Sequence, residues 1–302
     1  MPQECNLSII TVNYNGQKDT CVLIDTIPLN DPSLEVIVVD NASIENEAEI
    51  ISRRYPQIKV IRSATNLGFA GGNNLGIKYA RGKYLYFINN DTEFRDGWNV
   101  EPLVQRLESS DKIGIVCPKI RFAWHPQPIQ FAGYTQLSAI TMRNQAIGYG
   151  DEDHGQYDTA HPTPYAHGAA MMVKRTALER VGMMPECYFL YYEELDWSEM
   201  FKREGYEIWY EPASTIYHKE SQTTGVESSL KTYFITRNRL LFTKRNCSIA
   251  TRYATYVYLT VIVALRDMGK FFLKGRNDLV VATIRGIIHF FFNINNKQKT
   301  DK

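Results

Sequence analysis

The strongest constraint on the fold is a series of short apolar segments that alternate with helix-like segments. Residues Leu7–Asn13, Leu34–Asp40 and Tyr84–Ile88 are almost wholly apolar and carry polar residues at or just after their ends. Strands that are apolar on both faces are typical of parallel sheets covered by helices. We therefore predict an α/β fold with a mostly parallel central sheet and helices on both faces. The other elements predicted here are a strand at Ile58–Arg62 and helices at Gln17–Ile27, Ile44–Tyr55 and Gly72–Ala80.

The second half of the chain is less regular. Asp96–Tyr165 contains short apolar runs, several prolines and an acidic stretch, which indicates long loops. A hairpin is predicted at Glu207–Tyr217, just before His218. The further predictions are a strand at His167–Val173, a short helix ending at Gly182, and helices at Glu193–Glu204, Ser229–Arg245, Ile249–Lys270 and Asp278–Phe292.

Composition excludes several classes of protein. The chain has 302 residues, of which 44% are hydrophobic and 22% charged, so it is neither disordered nor collagen-like. Its five cysteines are scattered without a CxxC motif, which excludes a disulfide framework and indicates a reducing compartment. Residues 231–302 carry 14 Lys and Arg against 3 Asp and Glu, a net charge of +11, so the first 230 residues carry −10. The acidic first part, residues 1–230, is expected to bind cations, and the basic tail, residues 231–302, is expected to contact an anionic surface.

No membrane-spanning or secretory segment is expected. The apolar run Leu7–Val12 is too short for a signal peptide. The longest charge-free apolar stretch has 13 residues, between Arg252 and Arg266, whereas a spanning helix needs about 20. Helices rich in basic and aromatic residues suit a membrane interface. The tail is thus predicted to contact a membrane peripherally at the inner face of the cell membrane; packing on the body, or on a second copy in a homo-oligomer, is the alternative.

Two segments in the first half could bind a ligand. Asn89 and Asp91 follow an apolar strand at positions i and i+2, which places their side chains on one side of an extended chain. Their oxygens suit Mg²⁺ or Mn²⁺, although a turn built from Asn and Asp is the simpler explanation. The segment NLGFAGGNN, 66–74, has glycines that would let backbone N–H groups approach an anion before a helix begins. A glycine-rich turn would look the same.

Three further groups lie in the second half. Glu193, Glu194 and Asp196 stand together at a predicted helix start, where they either favour the helix dipole or provide a general base. Their mutual repulsion should raise at least one pKa. His218 follows a strand and is a candidate third metal ligand. Arg237 and Arg239, with Tyr233 one turn earlier, could neutralise a diphosphate or could form an ordinary basic face.

Taken in order, these segments resemble the family 2 inverting glycosyltransferases of the GT-A fold, and most of all their rhamnosyltransferase-like bacterial members. The similarity covers roughly residues 7–245. It implies a GT-A domain at 1–245, with a nucleotide-binding half at about 1–95, an acceptor half at about 96–245 and a basic helical tail at 246–302. The motifs that carry it are SIITVNYN, VIVVDNAS, NLGFAGGNN, YFINNDTEF, HGAAMMVKR, YYEELDW, YHKESQTTG and RNRLLF.

The resemblance implies a role for each candidate residue. The metal would be Mg²⁺ or Mn²⁺, bound by Asp91, Asn89 and His218, with Asn89 standing where relatives have an aspartate. Glu194 would be the general base where relatives usually have aspartate, with Glu193 and Asp196 as substitutes. Arg237 and Arg239 would close over the diphosphate. The nucleotide would be held by Thr11, Asn13, Asn15, Asp40, Asn41, Asn66, Gly68, Asn74, Asn89 and Asn90.

The implied reaction is a single displacement that inverts the sugar configuration. The donor would be a nucleotide-diphosphate sugar such as dTDP-rhamnose, and the acceptor a glycan or a polyprenyl-linked glycan in surface polysaccharide synthesis. The main alternative is a non-catalytic protein that binds a nucleotide-sugar or glycan. A nucleic-acid binder is disfavoured because the tail's aromatic residues fall in apolar runs, and a nucleotidyltransferase because no Gly-rich basic loop follows the first strand.

Overall fold

The computed structural model describes residues 5–220 and 228–292, which form two compact units. Residues 1–4, 221–227 and 293–302 lie outside the described part, and with them part of the predicted tail and of the segment YHKESQTTG. The sheet unit comprises residues 5–136, 145–189 and 193–220. The helical unit comprises 137–144, 190–192 and 228–292. It therefore includes a helix, Ser229–Asn246, that sequence analysis had assigned to the catalytic domain.

The sheet unit is built on one sheet of ten strands within the described residues. Its main order is β3-β2-β1-β4-β9-β6-β10-β5, with β7 added beside β6 and β8 beside β10. The strands are β1 (Leu7–Asn13), β2 (Leu34–Asp40), β3 (Lys59–Arg62), β4 (Tyr84–Ile88), β5 (Thr92–Glu93), β6 (Ile113–Phe122), β7 (Ile129–Phe131), β8 (His161–Pro162), β9 (Ala170–Lys174) and β10 (Glu207–His218).

The predicted fold class is confirmed. β1 pairs in parallel with β2 and β4, β2 with β3, and β10 with β6, while β9 runs antiparallel between β4 and β6. The carboxyl ends of β1, β2, β4, β6 and β10 consequently lie along one edge of the sheet. The helices are α1 (Gln17–Asp25), α2 (Glu47–Arg54), α3 (Gly68–Ile77), α4 (Glu101–Glu108), α5 (Arg175–Val181), α6 (Glu193–Arg203), α7 (Ser229–Asn246), α8 (Ile249–Val257), α9 (Ala264–Leu273) and α10 (Asn277–Phe291).

The predicted hairpin before His218 is wrong, because residues 207–218 form the single strand β10. Its pairing with β6 jumps from Glu211 opposite Pro118 to Thr215 opposite Lys119, so the residues between are left out of the ladder as a bulge. Pro212 lies in this bulge and has no N–H to give to a ladder. The turn-like residues therefore bend the strand without reversing it.

The glycine-rich helix α3 begins earlier than predicted, at Gly68 instead of Gly72. Its glycines permit close packing on the sheet: a Cβ on Gly76 would lie 2.5 Å from Cγ2 of Ile10, and one on Gly72 would lie 2.9 Å from Cγ1 of Val12. Gly68 has φ +72°, and a Cβ there would come within 2.2 Å of the carbonyl oxygen of Phe189. The glycines thus allow close contact between the helix, the sheet and a neighbouring loop.

The helical unit contains α7 to α10 and a π-helical segment, Tyr258–Val263, that joins α8 to α9. The predicted helix at Ile249–Lys270 is thus confirmed as helical, but the π-helical segment was not expected. α7 packs closely on α10, where a Cβ on Gly286 would lie 2.9 Å from the carbonyl oxygen of Tyr233. None of the helices in the described residues is both long and apolar enough to cross a membrane.

Candidate active site

Three predicted metal ligands meet at the carboxyl edge of the sheet. Asn89 and Asp91 follow β4, and His218 ends β10. Nε2 of His218 lies 3.1 Å from Oδ1 of Asp91 and 3.4 Å from Nδ2 of Asn89. The intervening Asn90 turns elsewhere, since its amide donates to Oγ1 of Thr20. The prediction that positions i and i+2 share a side is therefore confirmed.

A buried glutamine fixes the orientation of the His218 ring. Nδ1 of His218 lies 2.8 Å from Oε1 of Gln130, which is only 3% exposed. With the Nδ1 proton donated to this oxygen, Nε2 faces Asp91. Metal-binding histidines commonly donate their second ring N–H in this way, which fixes the ring and its tautomer. Sequence analysis missed Gln130, whose strand β7 has only three residues.

The donor set suits a divalent cation that has further ligands. One carboxylate, one imidazole and one amide lie together here, and Mn²⁺ accepts such nitrogen and oxygen donors. Across residues 5–220 and 228–292, no three His, Cys, Asp or Glu side chains are grouped so as to hold a metal ion. A cation bound by Asp91 and His218 would therefore need additional oxygens, such as those of a diphosphate.

The acidic residues at the start of α6 differ in exposure. Glu193 and Asp196 are buried, at 2% and 0% exposed, whereas Glu194 is partly exposed. Burial of its carboxyl group raises the pKa of Glu194 to about 7. Repulsion among the three carboxylates was the expected cause, but desolvation is the main one. A carboxyl with a pKa near neutrality suits general-base chemistry.

A short loop before β9 connects the Asp91 side to the Glu194 side. The N–H of Asn89 donates to the carbonyl of Ala169 over 2.9 Å. Next to Ala169, a Cβ on Gly168 would lie 3.9 Å from the carboxyl carbon of Glu194. The candidate base and the candidate metal ligands therefore border the same loop, 167–169. A methyl group at position 168 would be in van der Waals contact with the Glu194 carboxyl, which shows how near the loop lies.

An aromatic stack lies behind this loop. The ring of His167 stacks on Tyr134 with centroids 5.8 Å apart and an interplanar angle of 9°. Burial, with a contribution from His218, lowers the pKa of His167 to about 3, so this imidazole stays neutral at physiological pH. Its Nδ1 accepts a hydrogen bond from the N–H of Ala169 over 3.1 Å. His167 thus holds the loop in shape; sequence analysis did not single it out.

The predicted nucleotide residues on β1 and β2 are fully buried. The Asn13 amide donates to Oδ1 of Asp40 and to Oε2 of Glu47, and its carbonyl accepts from Thr20. Asn13 thereby ties the strand ends together. Oγ1 of Thr11 and Oδ2 of Asp40 are buried and make no hydrogen bond among the described residues, although Oδ2 of Asp40 lies 3.6 Å from Nε of Arg62. Buried polar atoms without a hydrogen bond are uncommon in folded proteins, so the Thr11 hydroxyl stands out.

Asn41, Asn66 and Asn74 make structural hydrogen bonds around α3. Asn41 donates to Oδ1 of Asn66 and to the carbonyl of Gly68. The N–H of Gly68 donates to Oδ1 of Asn66, and that of Phe69 donates to the carbonyl of Phe189. Protein acceptors therefore occupy the backbone donors that sequence analysis offered to an anion. Asn74 is 2% exposed and binds the backbone of Met184.

Asn15 lies in the loop between β1 and α1. It has φ +52°, and its side-chain oxygen accepts a hydrogen bond from the N–H of Ile44 over 2.8 Å. The left-handed conformation is one that asparagine tolerates better than most residues. The loops that follow β1 and β2 are thus joined at this point of the edge.

Arg237 and Arg239 belong to the helical unit. Nε of Arg237 donates to Oδ1 of Asn238, and its guanidinium lies 5.3 Å from the ring centroid of Phe234. Nε of Arg239 donates to the hydroxyl of Tyr192 over 3.3 Å. Their predicted contact with a donor diphosphate stays a prediction.

Sequence similarity now identifies the family. The profile described as Glycosyl transferase family 2 matches residues 8–182, more than half of the chain and the part that carries β1 to β9. The chain belongs to glycosyl transferase family 2. It is therefore a glycosyltransferase of the GT-A fold, as its sheet also indicates.

Named relatives of this family 2 chain act in glycan synthesis. The low-salt glycan biosynthesis hexosyltransferase Agl10 of Haloferax volcanii is 26% identical over 302 residues, covering 97% of this chain and 93% of Agl10. The N-acetylglucosaminyl-diphospho-decaprenol L-rhamnosyltransferase of Mycobacterium tuberculosis is 21% identical, covering 64% of this chain and 68% of its own. A glycan-building transferase is the common feature.

A solved structure supports the fold. The mannosyltransferase PcManGT of Pyrobaculum calidifontis, in complex with GDP-Man and Mn²⁺, superposes with a TM-score of 0.58 at 15% identity. The superposition covers 97% of this chain and 88% of PcManGT. At this identity the likeness concerns the fold of the family 2 chain.

The raised pKa of Glu194 predicts a pH-dependent stability difference. Its carboxyl is neutral in both states at low pH, but above the folded-state pKa of about 7 the folded protein carries a desolvated charge. Stability from this group is full at low pH and is lost as pH rises through 7. Between about pH 5 and 8.5, the free energy of unfolding of Glu194→Gln should therefore rise relative to that of the parent by on the order of 1–3 kcal/mol.

Thermal melting across this pH range measures that difference. Glu179→Gln, at an exposed carboxylate of α5, is the matched control and should follow the parent at every pH. A Tm difference for Glu194→Gln that does not change with pH would contradict the assigned pKa.

Proposed function

We propose that this chain is a metal-dependent inverting glycosyltransferase that uses a nucleotide-diphosphate sugar. The observation that carries the proposal is that Glu194 and the Asp91–His218 pair border the same loop, 167–169. An inverting transfer needs a base on the acceptor side of the sugar and charge neutralisation on the nucleotide side. Two such groups along one edge of the sheet satisfy that requirement.

Glu194 is the proposed base. In its ionised form it accepts the proton of an acceptor hydroxyl, whose oxygen then attacks the anomeric carbon from the face opposite the nucleotide. The bond from that carbon to the diphosphate oxygen breaks, and its electron pair leaves with the diphosphate. A pKa of about 7 leaves a large share of Glu194 ionised at neutral pH while keeping it basic enough to take the proton.

Asp91, His218 and Asn89 are the proposed metal ligands. Mg²⁺ or Mn²⁺ held there would neutralise charge on the leaving diphosphate. Gln130 supports this assignment because it keeps Nε2 of His218 directed towards Asp91. The complex of PcManGT with GDP-Man and Mn²⁺ gives a precedent for a donor with a divalent metal on this fold.

The names of the relatives guide the choice of donor and acceptor to test. We take dTDP-rhamnose as the first donor to test, because one relative is named an L-rhamnosyltransferase, and hexosyl donors as the next, because another is named a hexosyltransferase. The proposed acceptor is a glycan or a polyprenyl-linked glycan of a surface polysaccharide. Thr11 and Asp40, whose buried oxygens lack described hydrogen-bond partners, are kept as proposed nucleotide contacts.

The helical unit is proposed to contact the inner face of the cell membrane. Ile249, Tyr253, Val257, Val261 and Leu265 follow one another at intervals of four residues, and each is more than half exposed. This spacing places them along one side of the helix. The neighbouring basic residues Arg266, Lys270, Lys274 and Arg285 suit anionic lipid head groups.

Glu194→Gln should remove the base. We expect kcat to fall by about 100-fold or more while donor binding stays intact. Parent kcat should rise with pH through about 7, as the carboxyl ionises. Steady-state kinetics with a donor panel, and calorimetry for donor affinity, measure the two effects, with Glu179→Gln as the control. Normal turnover by Glu194→Gln would remove the base assignment, and no turnover by the parent on any donor would favour the non-catalytic binding protein.

Asp91→Ala should abolish the metal dependence of donor binding, because the only carboxylate of the proposed ligand set is lost. Calorimetry of the donor nucleotide with and without Mn²⁺ tests this. Asp111→Ala, at a fully exposed carboxylate, should keep the dependence of the parent. If Mn²⁺ strengthens binding to Asp91→Ala as much as to the parent, the metal site lies elsewhere.

Flotation with liposomes tests the membrane contact. Replacing Val257 and Val261 together with serine should reduce the bound fraction on anionic liposomes several-fold, because two exposed apolar contacts are lost. Val22→Ser, at an exposed valine of the sheet unit, should bind like the parent. Equal flotation of the double variant and the parent would contradict a role for this side of the helix.

A further inference from the structure

A cavity inside the helical unit carries an excess of positive charge. It measures about 200 Å³ and is bordered by α7, the π-helical segment, α9, α10 and the segment 137–144. Three basic side chains line it, Arg143, Lys231 and Arg239, against one carboxylate, Asp267. None of these residues belongs to the proposed metal or base site, which lies in the sheet unit.

Arg239 is the most buried of the three basic side chains that line the cavity. It is 94% buried, with 6% exposed, and its Nε donates to the Tyr192 hydroxyl. Within residues 5–220 and 228–292 its guanidinium makes no other hydrogen bond and has no carboxylate within 4.0 Å. A guanidinium has five N–H donors, so most of them remain to be satisfied. Burying a charge without a counter-charge is costly.

The other charges of the cavity do not balance Arg239. Asp267 is paired with Arg266, its chain neighbour, over 2.8 Å. Two main effects lower the pKa of Arg143. Burial is the larger effect, and the positive charge of nearby Arg239 is the second. Neither Arg143 nor Lys231 has an ion-pair partner in the described part of the chain. Two arginines and a lysine that line the same cavity can bind a multivalent anion together.

Most of the remaining lining is apolar, although Thr232, Thr236, Thr260 and Thr283 add hydroxyl groups. The larger apolar side chains come from α7, the π-helical segment and α10: Ile235, Leu240, Leu259, Val263, Leu279 and Ile287. A free inorganic anion would leave these walls unused. The volume is below the range of about 300–1,000 Å³ that is typical for drug-sized ligands, so it suits a head group and a short length of chain.

We propose that this cavity binds a phosphoryl group attached to an apolar chain. A phosphomonoester carries about −1.5 to −2 charges at neutral pH and three acceptor oxygens, which matches the surplus of two positive charges and the free guanidinium donors. A carboxylate would leave one of these charges uncompensated. The ligand is either a phospholipid-like molecule taken from a membrane or a soluble organic phosphate. The inference concerns the helical unit alone and does not depend on the proposed transferase reaction.

Calorimetry on the full chain tests the site with simple probes. We expect hexyl phosphate to bind saturably. Hexanol lacks the phosphoryl group and inorganic phosphate lacks the apolar chain, so each should bind at least about tenfold more weakly than hexyl phosphate. Arg143→Gln, at the more exposed of the two arginines, should weaken hexyl phosphate binding by about tenfold. Arg239→Gln should weaken it at least as much, and Lys244→Gln, at an exposed lysine of α7 outside the cavity, should not change it.

Co-sedimentation separates the two sources of the ligand. Phosphatidylcholine vesicles with phosphatidic acid should bind the parent more than Arg143→Gln if the ligand comes from a membrane. Equal binding of the two, with hexyl phosphate still dependent on Arg143, assigns the site to a soluble organic phosphate. The proposal is overturned if hexyl phosphate does not bind saturably, if inorganic phosphate binds as tightly, or if Arg143→Gln binds hexyl phosphate like the parent. Because the readout is binding, these outcomes are independent of whether the chain transfers a sugar.

Discussion

The pairing of β10 with β5 is the interaction on which the candidate active site depends. It sets His218 opposite Thr92, one residue after Asp91, and the N–H of Lys219 donates to the carbonyl of Asp91. Residues more than 120 positions apart in the chain are thereby fixed within hydrogen-bonding distance. The bulge between Glu211 and Thr215 lets β10 extend this far while it stays paired with β6. Without that extension, His218 would not reach the loop after β4.

The sequence predicted the strands whose burial on both faces requires a continuous apolar run. It did not predict the features that depend on which strands pair with each other. β1, β2 and β4 have the predicted bounds, because each is covered on both faces and must be continuously apolar. A hairpin was predicted where β10 is found, and only the pairing with β6 shows that Pro212 and its neighbours form a bulge in a single strand. Asn89, Asp91 and His218 were predicted as candidates because each follows or ends an apolar run, and the structure brings the three side chains together. Gln130 was not, because a three-residue strand has no periodicity to detect.

The environment of Glu194 shows how one physical effect serves chemistry and opposes stability. Burial raises the pKa of this carboxyl, which gives a proposed base suited to neutral pH but leaves a desolvated charge in the folded protein above that pH. The loop that contains Gly168 lies beside this carboxyl, where a Cβ on Gly168 would make an ordinary van der Waals contact at 3.9 Å. The same loop accepts a hydrogen bond from the N–H of Asn89, so the carboxyl and the candidate metal ligands share it.

Arg237 and Arg239 are close in the sequence, but this alone does not show that both contact the same ligand. Positions two apart on an α-helix point about 200° away from each other, so Arg237 and Arg239 cannot both face one ligand from the same helix. The contacts agree with this geometry, because Arg237 lies beside Phe234 while Arg239 is buried beside Tyr192 and lines the cavity. A joint role of the two arginines at one diphosphate stays a prediction that this geometry does not favour. In the proposed reaction, the charge of a leaving diphosphate is therefore assigned to the cation at Asp91 and does not require a pair of arginines.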